Sequence, residues 1–311
     1  MHDLWVEKYR PDTLDGYVFK DATMEAQIRD WVENPEKKRI PIPHIMLSGS
    51  PGTGKTTLAK ILINVLGVEE GDVLSINASR ENGVDVIRNK IVNFCSTWAV
   101  GDYKVVLLDE VDQMSHDAQG ILRNEMERFA DSVRFIMTCN YPRKIMSALH
   151  SRTQAYHIDK LDIDAFMERM INVLITEGVD FDPEHIDAFV ETTYPDLRKC
   201  IQLLDQYTIN KKLTPLNKAE EAGLDYMASF VELWQVRKVS DARRLLCTTA
   251  RVDDYEQIYR FFYTNLDLFS SNDAGQMNAI LIIANGLKGH AISADAEINL
   301  ASVLVQLAEI Q

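Results

Sequence analysis

The chain has 311 residues, a length that sets a soft expectation of about two domains. Hydrophobic residues make up 46% and charged residues 26%, the balance of a folded globular protein, which excludes wholesale disorder. Lys and Arg number 33 against 47 Asp and Glu; the net charge of −14 argues at first sight against a nucleic-acid binder, because phosphate contact usually leaves a basic footprint.

Met1-His2-Asp3-Leu4 carries neither the basic nor the apolar region of a signal peptide, and the longest apolar runs, such as 279–284, are too short to span a bilayer. A cytoplasmic location (the host cytoplasm if the chain is viral) with no membrane partner is therefore expected. Cys95, Cys139, Cys200 and Cys247 form no CxxC pair and are expected to be buried thiols in a reducing compartment.

In chain order, Met24, Ile28, Trp31 and Val32 recur at helical spacing, and residues 33–43, with three prolines and a basic cluster, read as a loop. Ile45-Met46-Leu47-Ser48 then looks like a buried strand running into a glycine-rich turn. Further apolar runs follow at 73–76, 105–108 and 134–138, each separated from the next by a stretch of helical length. Strands alternating with helices imply a parallel α/β sheet. After about residue 160 the strand signals stop, and 162–175, 184–190 and 197–209 read as helices. Beyond Ala219 come more amphipathic helices. One carries Ile258, Phe261, Phe262, Leu266 and Phe269; the last has Ser293 as its N-cap and Ile298, Ala301, Val305 and Ala308 on one face.

Chemistry is concentrated at Gly49-Ser-Pro-Gly-Thr-Gly-Lys55-Thr56, which fits the Walker A pattern G-x-x-x-x-G-K-[ST]. Glycines let the backbone curl so that successive N–H groups point at phosphate oxygens, and the helix that opens there aims its positive dipole end at the same anion. Gly52, Thr53, Gly54, Lys55, Thr56 and Thr57 are the expected phosphate-binding residues: Lys55 reaches the β/γ-phosphates and the Thr56 hydroxyl ligates Mg²⁺. Val105-Val-Leu-Leu-Asp109-Glu110 is an apolar strand ending in two carboxylates, a Walker B pattern. Asp109 would hold Mg²⁺ beside Thr56, and Glu110 is placed to polarise an attacking water. A water-activating carboxylate favours an ATPase over a small-molecule kinase. Arg134 to Asn140 is a strand ending in an amide; alone, Asn140 reads as a turn residue. If that strand lies between the two just described, Asn140 can bond the attacking water or the γ-phosphate.

These residues, with the opening Trp5-Val-Glu-Lys-Tyr-Arg-Pro11, resemble clamp-loader ATPases of the AAA+ superfamily. The resemblance runs on in the family's order through residues 76–90, Asp109-Glu-Val-Asp112, Asn140, Ser151-Arg-Thr153 and Pro195-Asp-Leu-Arg-Lys199, covering roughly residues 5–210. The compact length and Tyr194-Pro-Asp-Leu-Arg-Lys199 most resemble the ATPase subunit of T-even-type bacteriophage clamp loaders, followed by the cellular small subunits of eukaryotic and archaeal type. The bacterial branch has a four-cysteine zinc module between the P-loop and the acidic strand; only Cys95 lies in that interval here.

The resemblance implies an AAA+ domain with a five-stranded parallel sheet over residues 1–160, a helical lid over 161–225 and a helical collar or oligomerisation domain over 226–311. It implies that Val6, Tyr9 and Val18 line the adenine pocket of an ATP site, that Asn140 is sensor 1, and that Arg198 is sensor 2 on the γ-phosphate. Arg152 becomes an arginine finger completing a neighbouring subunit's site; the family's Ser-Arg-Cys is Ser-Arg-Thr here, with the arginine retained. The catalytic set is then Lys55, Asp109, Glu110, Asn140, Arg152 and Arg198. Expected partners are other subunits of a pentameric ring, a sliding clamp and primer–template DNA. Arg80, Arg88, Lys90, Arg123 and Arg128 are candidate DNA-facing residues, though each reads equally as a solvated helix charge. Two rivals stand beside this reading: another DNA-acting AAA+ motor, such as a helicase loader or branch-migration ATPase, and a non-catalytic scaffold subunit.

Residues 161–200 carry 3 basic and 10 acidic groups, half of the excess acid, away from the candidate DNA-facing positions. With a Debye length of about 8 Å, that charge scarcely screens a local basic lining.

Overall fold

The computed structural model describes residues 4–33, 42–81, 83–216, 218–250, 255–270, 272–293 and 295–310. The chain divides into two compact units, Met1–Pro215 and Leu216–Gln311.

In the first unit, α1 (Trp5–Lys8) and α2 (Ala22–Glu33) precede a sheet of β1 (Ile45–Ser48), β2 (Val73–Asn77), β3 (Lys104–Asp109), β4 (Val133–Cys139) and β5 (Gln154–His157). The sheet has 5 strands in the order β2-β3-β4-β1-β5, and every pairing is parallel. α3 (Lys55–Val65), α4 (Val84–Ser96), α5 (His116–Arg128) and the short α6 (Ser147–His150) connect the strands. Because crossover helices cover a parallel sheet on both faces, its central strands are apolar runs rather than alternating ones. Accordingly Ile45, Met46, Leu47, Val105 to Leu108 and Phe135 to Met137 are all buried. β5, Gln154-Ala-Tyr-His157, is an edge strand with mostly exposed side chains, so it has no apolar signature and escapes a pattern search.

The order places β4 between the strand leading into the glycine loop and the strand ending in the carboxylates, the condition on which the reading of Asn140 depended. Ligands of open parallel sheets sit beyond the carboxyl ends of such strands. At the opposite end, His44 Nδ1 accepts the Phe135 N–H at 3.1 Å. Burial, aided by the nearby Arg134 charge, pulls the His44 pKa down to about 4. An unfolded histidine titrates near ~6.5, so below that pH the unfolded chain binds the proton first, and stability falls as pH drops toward the folded value. For this partly exposed ring we expect a loss of about 2 kcal/mol between neutral pH and pH ~4, which His44→Gln removes from the pH profile of urea unfolding.

The first unit continues with α7 (Ile163–Glu177), α8 (Pro183–Thr193) and α9 (Leu197–Tyr207), which pack on one another around Phe166, Met170, Leu174, Phe189 and Leu204. Asp162 caps α7 by accepting the Ala165 N–H, and Gly178 ends that helix at φ 65°. The helix expected over 197–209 stops at Tyr207. Thr208–Ile209 and Lys212–Leu213 instead pair as a hairpin, β6 and β7, with Asn210 and Lys211 at positive φ, as a primed two-residue turn requires.

The second unit holds α10 (Lys218–Gln235), α11 (Val239–Thr249), α12 (Tyr255–Thr264), α13 (Asp273–Ile292) and α14 (Ala296–Ala308) around an aromatic core of Phe230, Trp234, Tyr255, Tyr259, Phe262 and Phe269. Three sequence expectations are corrected here. α12 ends at Thr264; a 3₁₀ turn over Leu266–Leu268 follows, so Leu266 and Phe269 are not on that helix. α14 is capped by Asp295, whose carboxylate accepts the N–H groups of Glu297 and Ile298, while Ser293 terminates α13. Ile298, Ala301, Val305 and Ala308 do share a face, but the buried one carries Leu300, Val303, Leu304 and Leu307, leaving Ile298 and Val305 exposed. A helix apolar on both sides offers two 3.6-period stripes, and periodicity alone does not say which turns inward.

The loop expected over 33–43 lies mostly outside the described residues, as Glu33 ends α2 and only Ile42 and Pro43 follow among them. Cys95, Cys139 and Cys200 are buried free thiols; Cys247, also free, is only partly buried, against the expectation for all four. No helix among the described residues is long and apolar enough to cross a membrane.

Candidate active site

The glycine loop leaves β1 and turns directly into α3. Gly54 takes the N-cap position of α3 at φ 85°, and Gly52 sits at φ 74°. Side chains rarely adopt either conformation, and a Cβ on Gly52 would stand 1.7 Å from Asp196 Oδ1. No side chain caps α3, so its first N–H groups and its positive dipole end face the loop. Thr53 is buried; its Oγ1 donates to Ser50 O at 2.9 Å, and Tyr17 OH donates to Thr53 O at 3.4 Å. Lys55 lies within the loop, its Nζ donating to Gly49 O at 2.9 Å and Ser50 O at 2.6 Å. Burial lowers its pKa, opposed by Asp109 and Asp112 among the nearby acidic groups. An ammonium in so dry a cradle attracts phosphate more strongly than one in water.

The carboxylates meet this loop from the end of β3. Thr56 Oγ1 donates to Asp109 Oδ1 at 2.7 Å, and the Thr138 hydroxyl donates to the same oxygen. Glu110, the next residue, takes a left-handed backbone at φ 59° and ψ 45°, its N–H donating to Thr138 Oγ1 at 3.1 Å. At the end of β4, the Asn140 N–H donates to Asp112 Oδ1 at 3.1 Å. Strand order therefore gathers Thr56, Asp109, Glu110 and Asn140 around the glycine loop. Sequence reading passed over Thr138, although it is the polar residue ending the apolar run Phe135-Ile136-Met137 of a buried strand, an anomaly that can be read without a structure.

Val6, Tyr9, Val18, Gly52, Gly54, Thr57 and Arg198 line one cavity. Tyr17, Arg169 and Ile201 also stand in its wall and were not foreseen. Arg169, from α7, donates to Tyr9 O at 2.6 Å; Tyr9 OH donates to Glu177 Oε1 at 2.7 Å, and Lys8 pairs with the same carboxylate. Arg10 Nε donates to Thr57 Oγ1 at 3.2 Å. The N-terminal segment is thus strapped to both α7 and α3 around the cavity. Arg198 reaches the cavity from the first turn of α9, which Asp196 caps.

Arg152 does not line this cavity. Its guanidinium pairs with Glu127 of α5 and donates to Ala148 O at 2.8 Å. Of the basic candidates, Arg88 and Lys90 are exposed on α4, and Arg123 and Arg128 lie on α5, which packs against α4; Arg80 is exposed in the preceding loop. Lys90 pairs with Glu81, Arg123 bonds Asn124, and Arg128 stacks on Phe129 while facing Glu125 at 3.7 Å.

Residues 45–159, which run from β1 to just past β5, match the model of AAA, the ATPase family associated with various cellular activities. The replication factor C small subunit of Saccharolobus solfataricus is 32% identical over 98% of this chain and 94% of its own length. The chain belongs to the replication factor C small-subunit family. The small subunit of Methanococcus vannielii is 35% identical over 79% of both chains. That of Sulfolobus acidocaldarius is 39% identical over 68% of this chain, and the match spans 64% of that relative's length. Among solved structures, the Thermotoga maritima RuvB Holliday junction branch migration motor shares the fold at TM-score 0.57 and 15% identity, over 76% of this chain and 85% of that one. Loop, lysine, hydroxyl and both carboxylates stand together at the ends of β1 and β3.

Proposed function

We propose that the chain is the ATPase subunit of a sliding-clamp loader in DNA replication. ATP binding opens the clamp and engages primer–template DNA, and hydrolysis to ADP and phosphate releases the closed clamp on DNA. The observation that carries this reading is the convergence of Thr56, Asp109 and Glu110 beside the lysine-bearing loop, within a family named for a replication factor. A scaffold subunit has no need of the complete set.

The Thr56 and Asp109 oxygens, 2.7 Å apart, are the hard donors that Mg²⁺ takes. Bound there, the ion would neutralise charge on the β- and γ-phosphate oxygens. Lys55 and the α3 N-terminus hold the phosphates, Glu110 takes the proton of the attacking water, and Asn140 orients that water. Arg198, on a lid of α7 to α9, meets the γ-phosphate; Arg152 serves the next subunit. A guanidinium suits both posts because it stays charged at any working pH.

Residues 226–311, within the α10–α14 unit, act as the collar of a pentameric ring in this reading. Met277, Leu281, Ile298 and Val305 are exposed on it, and apolar side chains on helix surfaces suit subunit contact. Arg88, Lys90, Arg123 and Arg128, on two packed helices, form the DNA-facing side together with Arg80. Lys90 and Arg128 are already paired with acids, so DNA binding by one chain is weak and salt-sensitive, and strengthens in the ring. The 194–199 segment supports the T-even bacteriophage type, and on that reading the protein works in a host cytoplasm.

The test is steady-state ATPase of the purified chain, alone and with partner subunits, sliding clamp and primer–template DNA. Clamp and primed DNA together are expected to stimulate turnover by about 100-fold, the low end of what one well-placed catalytic group contributes. Stimulation by junction or forked DNA without any clamp effect would assign the chain to a different DNA-acting motor.

A further inference from the structure

We propose that Thr138 is a positioning residue that sets the catalytic geometry of Glu110, a proposal that rests on reading Glu110 as the base that activates water. A hydroxyl has one proton to give. The Thr138 proton goes to Asp109 Oδ1, which leaves an oxygen lone pair for the Glu110 N–H at 3.1 Å. The donor–acceptor order is therefore fixed: Glu110 N–H to Thr138 hydroxyl to Asp109 carboxylate. Thr138 is 2% exposed, so neither bond can be exchanged for one to bulk water without cost.

The arrangement bears on catalysis because Glu110 has a left-handed backbone, which residues with a Cβ avoid unless their surroundings impose it. That conformation decides where its side chain points as the chain leaves β3. One bond from Thr138 holds the Glu110 peptide, and the same hydroxyl holds the carboxylate before it. A second bond crosses between the strand ends in the opposite direction, from the Asn140 N–H to Asp112 Oδ1 at 3.1 Å, with Asp112 5% exposed. The turn after β3 and the end of β4 are thus stapled at two points. The staple fixes the proposed base relative to the proposed water-orienting amide, and Thr138 supplies its Glu110 side.

The decisive variant is Thr138→Val, equal in shape but without the hydroxyl, compared with Thr138→Ser, which keeps it. Thr138→Val is expected to bind ATP within about twofold of the parent while kcat falls by about 100-fold, the scale of a misplaced catalytic group. Hydrogen exchange of the Glu110 amide should accelerate in the same variant, independently of turnover. Thr138→Ser should restore both. Wild-type kcat in Thr138→Val, or an equal fall in Thr138→Ser, would overturn the proposal. If Thr138→Val folds poorly, Thr138→Ala, which adds no bulk, makes the same comparison with Thr138→Ser. Glu110→Gln separates the two ideas. If it leaves turnover unchanged, the reading of Glu110 fails and amide exchange alone decides the staple. If it abolishes turnover while Thr138→Val does not, only the staple fails.

Discussion

Glu110→Gln is expected to bind ATP normally and to lose DNA-stimulated turnover by about 10²- to 10⁴-fold, the usual worth of a general base. Glutamine keeps the length and shape of the side chain but has no basic oxygen to take a proton. The backbone bond from Glu110 to Thr138 involves the main chain and survives the change. Thr56, Asp109 and Lys55 are untouched, so the groups that hold the nucleotide stay in place. Fluorescent-nucleotide binding and steady-state hydrolysis, measured on the same preparation, separate the two effects. Unchanged turnover would remove Glu110 from the mechanism.

Arg152→Ala is expected to leave nucleotide binding by the isolated chain intact and to slow hydrolysis in the assembly by about 10³-fold or more, as loss of an arginine finger does. The local cost of removing the side chain is small. Its ion pair with Glu127 joins groups 32% and 53% exposed, and such pairs contribute at most about 1 kcal/mol. Thermal unfolding of the variant should therefore match the parent. The diagnostic is mixing: wild-type neighbours placed beside mutant subunits should restore activity at those sites whose finger is intact. If mixing never rescues any site, the in-trans role of Arg152 is wrong.

How legible the molecule is differs from element to element. β1, β3 and β4 were visible because a strand buried on both faces must be apolar throughout. β5 was not, because an edge strand with exposed side chains obeys no such constraint. The 197–209 helix was overrun by two residues because Asn210 and Lys211, rather than a glycine, make the turn. On α14, two apolar stripes competed, and packing of the unit decided between them.

The candidate site divides along the same line. Residues 49–56 and 109–110 are contiguous, and their chemistry depends on local backbone geometry: a glycine loop opening a helix, and acids at a strand end. Such features can be read from neighbouring letters, and with them the nucleotide chemistry that sequence alone determined. The meeting of Thr138 with Asp109 and Glu110, of Asn140 with Asp112, and of Arg169 with Tyr9 joins residues far apart in the chain. Only tertiary structure decided these pairings, because hydrogen bonds between distant residues depend on strand order and register, which no periodicity encodes.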